Sequence, residues 1–266
     1  MNTGVRVMRS EEEYRRAVRL IEAGINDCGV GRRLGIPRGT IRDWRHGLNS
    51  GSGGRTKFSS GKQRVTCFRC TDGWFDEVAY AYLLGEYLGD GCLSLMPRQV
   101  YRLRIVCDLK YPDIIDEIAS CIVIARGSET VGFVRKKGCI EVYSCWKHWL
   151  CLFPQHGPGR KHKRRIELTP WQQMIVTAHP EALIRGLIHS DGNRHINGVT
   201  RKLPSGSRRY HYPRYMFTNA SIDILGIFTD TLDLMGVHWT QTTARDISVA
   251  RRGDVSFLDS FVGPKR

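Results

Sequence analysis

The chain has 266 residues, of which 41% are hydrophobic, so it is long enough for one large domain or two small ones with a buried core. Lys and Arg number 41 against 26 Asp and Glu, and the formal net charge of +15 favours a polyanionic partner, nucleic acid before membrane. This composition excludes a disordered chain, and no apolar run is long enough to span a membrane. Residues 1–10 also lack the apolar core of a signal peptide, so we expect a cytoplasmic protein, associated with the nucleoid if it is bacterial or phage-encoded.

Nine cysteines, an odd number, lie between Cys28 and Cys151, most of them inside apolar stretches. In a reducing compartment such residues are small buried hydrophobes. The sequence therefore predicts no disulfide framework.

Residues 1–48 have the size and pattern of a helix-turn-helix module. Apolar residues at helical spacing predict helices over Glu11–Ala23 and Asn26–Leu34, and a tight turn at 35–37 leads into a third helix over Arg38–His46. The last helix of such a module enters the major groove, so its exposed residues are candidate readers of DNA. These residues are Arg38, Thr40, Arg42 and Arg45. A three-helix protein-binding module with a solvated basic face is the alternative.

Residues 49–75 begin with a Ser- and Gly-rich stretch, and no acid occurs between Asp43 and Asp72. We expect a flexible tether whose basic residues can lie along a DNA backbone. A solvated linker is the alternative.

A Cys-x2-Cys pair, Cys67 and Cys70, stands near the end of this segment. Such a pair is half of a structural zinc site, which needs four ligands, and Cys151, His156 and His162 are candidates to complete it. The alternatives are two unligated thiols or a redox pair, although no thioredoxin-like pattern surrounds them.

Two stretches, residues 83–91 and 183–192, follow one pattern: a small residue, three others, a second small residue, then Asp-Gly. Residues four apart share a helical face, so each stretch predicts a helix on which the two small residues form a strip without large side chains. The aligned pairs are Gly85 with Gly186, Leu88 with His189, Gly89 with Ser190, Asp90 with Asp191, and Gly91 with Gly192.

If the two strips pack against each other, the helix ends converge and bring Asp90 and Asp191 together. Two carboxylates that close repel each other unless a cation lies between them, and Mg²⁺ is a hard cation that takes carboxylate oxygens. Gly91 and Gly192 fit helix ends at which a left-handed residue turns the chain away. A core helix with a glycine stop would explain either stretch alone, but the duplicated acid favours a functional site.

This duplicated motif resembles that of the LAGLIDADG homing endonucleases, in their single-chain form with two pseudo-symmetric halves. The chain departs from the family pattern at Leu88 and His189, where the motif has its first Asp, and at Gly89 and Ser190, which replace its penultimate Ala. Neither departure touches the acid that binds metal in the family, and His189 is expected to pack or to point away from the metal.

The resemblance implies an α+β fold in which two pseudo-symmetric αββαββα repeats form a DNA-binding saddle. It implies a monomer that cuts double-stranded DNA and uses Mg²⁺ or Mn²⁺. The implied metal ligands are the carboxylates of Asp90 and Asp191 and the backbone carbonyls of Gly89 and Ser190.

Hydrophobic periodicity agrees with two such repeats, at 76–153 and 176–266, joined by a basic loop at 154–175. The first repeat predicts a helix over Asp76–Gly89, strands over Cys92–Met96 and Tyr101–Asp108, a helix over Pro112–Ile124, strands over Val131–Lys136 and Cys139–Ser144, and a helix over Trp146–Phe153. The second predicts a helix over Pro180–Ser190, strands over Asn193–Arg201 and Arg209–Thr218, a helix over Ser221–Met235, strands over Val237–Thr242 and Asp246–Ala250, and a helix over Asp254–Val262.

Basic residues are placed where DNA would lie on such a saddle. No acid occurs between Asp191 and Asp223, so the hairpin of the second repeat faces a polyanion. The inter-repeat loop is predicted to clamp the phosphate backbone, with a solvated linker as the alternative. The candidate DNA contacts are Arg102, Arg104, Arg160, Lys161, Lys163, Arg194, Arg201, Arg209, Arg214 and Arg251.

Enzymes of the resembled family also place a basic residue near each metal, on the last strand or the turn after it. Aligning the two repeats at that point implies catalytic roles for Lys147 and Arg252, which would stabilise charge in the transition state.

The leading hypothesis is a site-specific, divalent-metal-dependent endonuclease that breaks both strands of a long DNA target. A non-cleaving DNA-binding transcriptional regulator on the same scaffold is the first alternative, and RNA maturation is the second. The presence of both Asp90 and Asp191 favours cleavage, and the predicted helix-turn-helix favours duplex DNA.

Overall fold

The computed structural model describes residues 10–23, 25–45, 67–71, 75–203 and 206–265. The chain divides into two units, Met1–Val65 and Thr66–Arg266. Most of the predicted tether, 49–66 and 72–74, lies outside the described residues.

The described part of the first unit contains three short helices, α1 (Glu11–Glu22), α2 (Asp27–Leu34) and α3 (Arg38–Arg45). Ser10 and Glu13 form a capping box at the start of α1, with hydrogen bonds of 2.8 and 3.2 Å. The apolar faces meet in a small core of Tyr14, Ala17, Val30, Ile36, Ile41 and Trp44. The helices lie where the sequence predicts them, except for His46, which is outside the described residues, and the helix-turn-helix assignment stays a prediction.

The second unit contains two repeats of the same element order. After α4 (Phe68–Thr71), the first consists of α5 (Glu77–Gly89), β1 (Gly91–Met96), β2 (Val100–Asp108), α6 (Pro112–Arg126), β3 (Gly132–Lys136), β4 (Cys139–Trp146) and α7 (Trp149–Leu152). A connecting helix, α8 (Pro170–Ala178), precedes the second, which consists of α9 (Pro180–Asp191), β5 (Gly192–Leu203), β6 (Gly206–Thr218), α10 (Ile222–Leu234), β7 (Thr240–Thr243), β8 (Asp246–Val249) and α11 (Arg252–Asp259).

Each repeat forms one antiparallel four-stranded sheet, in the strand orders β1-β2-β4-β3 and β5-β6-β8-β7. The helices of both repeats share one core with the inner faces of these sheets. The predicted α+β class with two αββαββα repeats is therefore confirmed.

The α5 helix lies at the centre of this core. Asp76 caps it by accepting a 2.9 Å hydrogen bond from the backbone N–H of Ala79, and every residue from Ala79 to Leu88 is buried. Burial on all sides explains why α5 is apolar around its whole circumference. Among the described helices, none combines the length and the apolar character that crossing a membrane requires.

Several predicted boundaries were wrong. The helix predicted over Trp146–Phe153 is confined to α7, because Trp146 continues β4 and pairs with Tyr101 of β2. The strand predicted from Val237 begins only at Thr240, and Val237 packs into the core at 3% exposure.

Two further differences concern helix starts, and one of them belongs to a helix that the sequence did not predict. The helix predicted from Asp254 starts at Arg252. The region 154–175, predicted as a loop, contains the start of α8, whose capping box pairs Thr169 with Gln172.

Candidate active site

The motif helices α5 and α9 pack backbone to backbone. A Cβ on Gly85 would lie 2.7 Å from the carbonyl oxygen of Leu183, and a Cβ on Gly186 would lie 2.2 Å from the carbonyl oxygen of Tyr82. Both distances are too short for any side chain, so glycine is required where the helices cross. The glycine-lined contact predicted from the sequence is confirmed.

The second pair of small residues, Gly89 and Ser190, brings the helix ends together. A Cβ on Gly89 would lie 2.5 Å from the Cβ of Ser190 and 3.1 Å from the Oδ2 of Asp191. The Ser190 hydroxyl turns back and donates a 3.0 Å hydrogen bond to the carbonyl of Gly186. The Asp191 carboxylate therefore lies against the residue that precedes Asp90.

The prediction of left-handed conformations at Gly91 and Gly192 was wrong. Gly91 begins β1, and Gly192 is extended, with φ −102 and ψ 168. Glycine is needed there for a close approach, because a Cβ would lie 2.5 Å from the Cα of Tyr87 in the first case and 2.7 Å from the Cα of Ile188 in the second.

Asp90 and Asp191 interact electrostatically at this junction. Asp90 is open to solvent on one side, but crowding by protein atoms, followed by the charge of Asp191, raises the pKa of its carboxyl to about 6. Asp191 is half-buried, and burial likewise raises its pKa. Asn219 donates a 2.7 Å hydrogen bond to the Oδ2 of Asp191, which favours the ionised form of that acid.

Two lysines, each C-terminal to the last helix of its repeat, meet the ends of the motif helices. The Nζ of Lys161 donates to the carbonyls of Leu88 and Gly89, each at 3.0 Å, at the end of α5. The Nζ of Lys265 lies 3.4 Å from the carbonyl of Ser190 at the end of α9. Burial lowers the pKa of both ammonium groups, that of Lys161 to about 8, while the charges of the two aspartates act in the opposite direction.

Neither lysine was predicted in this position from the sequence. Lys161 was predicted only as a phosphate contact, and Lys265 was not singled out. Aligning the segments after α7 and α11 would have drawn attention to both residues, although neither stands in a recognisable motif.

A cavity of about 250 Å³ opens beside Asp191. It reaches Gly89 at the end of α5 and Asp191 at the end of α9, and Lys161 and Asn219 line its wall. A small anionic group entering this cavity would meet the ammonium of Lys161, the carboxamide of Asn219 and the carboxylate of Asp191.

Behind the acids lies a buried polar cluster that contains His189. Its Nδ1 lies 3.0 Å from the hydroxyl of Tyr82, and its Nε2 lies 2.9 Å from the carbonyl of Val262, so the Nε2–H tautomer accepts from Tyr82 and donates to Val262. Burial lowers the pKa of His189 to about 4, which keeps the ring neutral. The expectation that His189 packs rather than binds metal agrees with these contacts.

Glu86, one turn before Asp90 on α5, belongs to the same interior. It is 1% exposed, and its Oε1 has no hydrogen-bond partner among the described residues. Burial raises the pKa of this carboxyl well above its usual value, which favours its neutral form. Of the two aspartates, Asp191 lines the cavity beside the helix ends.

The acidic junction fits a divalent cation. The carboxylates of Asp90 and Asp191 are hard oxygen donors that could hold Mg²⁺ or Mn²⁺. The carbonyls of Gly89 and Ser190, predicted as further ligands, lie instead 3.0 Å from the Nζ of Lys161 and 3.4 Å from the Nζ of Lys265. The raised pKa values of Asp90 and Asp191 mean that the surrounding protein leaves their negative charge incompletely compensated. A cation at this position would supply that compensation.

Lys147 and Arg252, predicted as catalytic, are both exposed and lie away from the acids. Strand register puts Val142 of β4 level with the start of β1, and Lys147 lies five residues further along, about 16 Å at the usual rise of a strand. Arg252 begins α11, beyond the end of β8. Lys161 and Lys265, not these two residues, contribute to the electrostatics of Asp90 and Asp191.

The outer face of the first sheet carries Arg102 and Arg104. Their neighbours in β2, Leu103 and Ile105, are fully buried on the inner face, as the predicted alternation requires. Arg102 donates to Glu141 at 2.7 Å, and Arg104 donates to the Ser94 hydroxyl at 2.9 Å. The Nε of each arginine is buried and has no hydrogen-bond partner among the described residues.

The second sheet does not bring all of its predicted DNA contacts together. Arg214 lies on the outer face, opposite His195, and its Nε has no partner among the described residues. Alternation along the strands puts Arg194 and Arg209 on the other face, and Arg194 is held there by Asp259 through hydrogen bonds of 2.6 and 2.8 Å. Only the backbone of Arg201 is described.

The remaining predicted contacts are at the surface. Arg38 and Arg42 are exposed and Thr40 is half-buried on α3, whereas Arg45 is held by a 2.6 Å ion pair with Asp27. In the second unit, the exposed members are Arg160, Lys163 and Arg251.

The Cys67–Cys70 pair also has partners. Cys151 and His148 lie beside it, and one ligand atom from each of the four residues falls within 4.8 Å of the others. Cys151 was among the predicted completers, but His148 takes the place expected of His156 or His162.

The element order, the two sheets and the glycine-mediated crossing of α5 and α9 together identify the architecture. The chain has the LAGLIDADG fold. No protein-family model and no curated protein matches the chain.

Several solved structures match the chain at low sequence identity. I-DmoI in complex with DNA and Mn is 17% identical, with a TM-score of 0.46, over 70% of this chain and 97% of that one. The LAGLIDADG meganuclease I-AabMI bound to uncleaved DNA is 12% identical, with a TM-score of 0.44, over 68% and 82%. The N-terminal LAGLIDADG domain of DUF199/WhiA is 12% identical, with a TM-score of 0.44, over 71% and 83%.

Proposed function

We propose that the chain is a divalent-metal-dependent endonuclease that cuts both strands of duplex DNA at a long target site, acting as a monomer. The observation that carries this proposal is the meeting of Asp90 and Asp191 at the crossing of α5 and α9, with a lysine at the end of each helix. The pseudo-two-fold relation between the two acids matches the relation between the two strands of a duplex.

Asp90 and Asp191 would hold the cation through their carboxylates, while the carbonyls of Gly89 and Ser190 hold the ammonium groups of Lys161 and Lys265. A divalent cation held there supplies the Lewis acidity and charge neutralisation that phosphodiester hydrolysis needs. Asn219 keeps one oxygen of Asp191 oriented through its 2.7 Å hydrogen bond.

Lys161 and Lys265 offset negative charge on the phosphates that enter the junction. Backbone carbonyls fix each ammonium at its helix end, so its positive charge is already in place when a phosphate arrives. The pKa of Lys161, about 8, leaves most of this group charged at neutral pH.

DNA lies across the outer faces of the two sheets. Three arginines on these faces, Arg102, Arg104 and Arg214, are half-buried, so part of each side chain is open to solvent. Charged donors at a groove surface can reach base edges or phosphates. The excess of 41 basic over 26 acidic side chains supports a polyanion as the ligand.

The test uses the full chain and a library of randomised duplexes, sequenced after binding and again after incubation with Mg²⁺ or Mn²⁺. We expect double-strand breaks at a small set of related long sequences. Asp90→Asn and Asp191→Asn should each reduce cleavage by about 10²-fold or more while retaining DNA binding. Asp116→Asn, at an exposed acid on α6, is the matched control and should cleave normally.

Tight binding of a selected site without cleavage, under any divalent cation, would instead support a DNA-binding regulator on this fold. Preferential binding of structured RNA over every duplex would overturn DNA as the substrate.

A further inference from the structure

A second cluster of potential metal ligands consists of Cys67, Cys70, His148 and Cys151. None of these residues belongs to the motif helices that carry Asp90 and Asp191. Cys67 and Cys70 come from the turn of α4, and His148 and Cys151 come from the turn that begins α7. In both pairs the residues are three apart, and the N–H of the second bonds to the carbonyl of the first, at 2.8 Å for Cys70 and 2.9 Å for Cys151. Two equivalent turns thus present two ligands each.

We propose that Cys67, Cys70, His148 and Cys151 bind one structural zinc ion. A tetrahedral zinc with Zn–S bonds near 2.3 Å and a Zn–N bond near 2.05 Å separates two sulfurs by about 3.8 Å and a sulfur from a nitrogen by about 3.6 Å. The sulfurs of Cys70 and Cys151 are 3.8 Å apart. The Nδ1 of His148 lies 3.5 Å from the sulfur of Cys70 and 3.7 Å from that of Cys151.

The same distances exclude a disulfide in this arrangement. A disulfide needs its two sulfurs at about 2.05 Å, far closer than the 3.8 Å between Cys70 and Cys151. All nine cysteines are unbridged. Three thiolates and one imidazole form a closed tetrahedral ligand set that leaves no position for a substrate, so the ion is structural rather than catalytic.

The zinc ion fastens α4 to the first repeat. Apart from the cluster, this one-turn helix is held by aromatic contacts: Phe68 stacks on Phe75 with ring centroids 3.7 Å apart, and Arg69 lies 4.8 Å from the ring centroid of Trp171. A helix of four residues has little stability of its own, so a metal that joins it to α7 fixes the chain where the second unit begins.

The experiment measures metal content in the full chain, purified without added metal, and does not depend on nuclease activity. We expect one zinc ion per chain in the wild type. Growth with cobalt should yield protein with the visible absorption of tetrahedral Co²⁺ and a thiolate charge-transfer band. Cys70→Ser and His148→Ala should each lower zinc occupancy by about tenfold.

Two control variants retain the candidate ligands. Cys139→Ser changes a half-buried cysteine of β4, and His156→Ala removes a histidine that the sequence also offered as a ligand. Both should retain wild-type zinc.

A wild-type chain that lacks zinc and takes up none from an equimolar zinc salt would overturn the site, as would full zinc occupancy in Cys70→Ser or a Cys70–Cys151 disulfide in the native protein. Iron in place of zinc would overturn the choice of ion. Because the wild-type zinc and cobalt measurements stand alone, a variant that fails to fold does not remove the test.

Discussion

Asn219 donates a 2.7 Å hydrogen bond to Asp191, whereas strand register places Cys107 at the equivalent position beside Asp90. The thiol of Cys107 is buried, and its pKa is raised by that burial to about 12, so it remains neutral near the acid. The two acids therefore have different surroundings despite the symmetry of the helices that carry them.

We expect Asn219→Ala to weaken cation binding. A hydrogen bond to a charged group contributes about 1.5–3 kcal/mol, so its loss should raise the Mg²⁺ concentration needed for half-maximal cleavage by about tenfold or more. The measurement is cleavage rate against Mg²⁺ concentration. Cys107→Ser, at the equivalent position without a hydrogen bond to an acid, should change this requirement by no more than about twofold. An unchanged Mg²⁺ requirement in Asn219→Ala would contradict the orienting role.

Gly186→Ala should lower the stability of the second unit. The added Cβ would lie 2.2 Å from the carbonyl oxygen of Tyr82. Both groups belong to buried helices, so relieving the clash requires a shift of helix backbone. We expect a loss of about 3 kcal/mol or more in the free energy of unfolding, measured by chemical denaturation.

Gly226→Ala on α10 is the control for that substitution. A Cβ at Gly226 meets nothing within 4 Å, and alanine is the better helix former, so stability should be unchanged or rise by about 0.5–1 kcal/mol. Equal effects of the two substitutions would show that the crossing of α5 and α9 is looser than the distances indicate.

The sequence predicted the fold because its information was local or repeated. Gly85 and Gly186 recur with the same spacing to an acid, and helical and strand periodicities give the element order. The contact between those glycines followed from geometry once the duplication was recognised.

The rest of the candidate site depends on contacts between distant parts of the chain. Lys161 and Lys265 reach the acids from segments with no regular pattern, so nothing in the local sequence distinguishes them from other surface lysines. Alternation did predict the inward and outward sides of β2, but Arg194 could be assigned to the inner side only after its pairing with Tyr215 was known.

Lys161→Met should impair catalysis more than binding. The ammonium of Lys161 contacts the end of α5, and its loss removes positive charge from the junction. We expect cleavage at saturating DNA and Mg²⁺ to fall by about 10²-fold, with DNA affinity changed by less than about fivefold.

Lys163→Met is the matched control, because Lys163 is exposed two residues away and has no contact with the helix ends. It should weaken DNA binding slightly and leave the cleavage rate of bound DNA unchanged. If both variants lose the same activity, Lys161 acts only as a phosphate contact.

The pKa values also predict how the metal-free fold responds to pH. The carboxyl pKa of Asp90 is about 6 in the folded chain, against an ordinary value of 3.8. Between these two pH values the folded chain therefore binds more protons than the unfolded chain. The contribution of Asp90 to stability therefore decreases as pH rises from about 4 to 6. Because Asp90 is open to solvent on one side, we expect Asp90→Asn to recover only about 1 kcal/mol at neutral pH without metal, measured by denaturation.

Below neutral pH, cleavage should increase as pH rises, whereas the stability of the metal-free fold decreases. Protonation of Asp90, with its pKa of about 6, removes a ligand charge, so the Mg²⁺ requirement should rise steeply as pH falls below that value. Above about pH 8, the pKa of Lys161, deprotonation removes the ammonium and the rate at saturating Mg²⁺ should fall. Rates measured across this range in wild type and Lys161→Met separate the two limbs: the variant should retain the acid limb and lose the alkaline one. An alkaline limb that persists in Lys161→Met would assign it to another group.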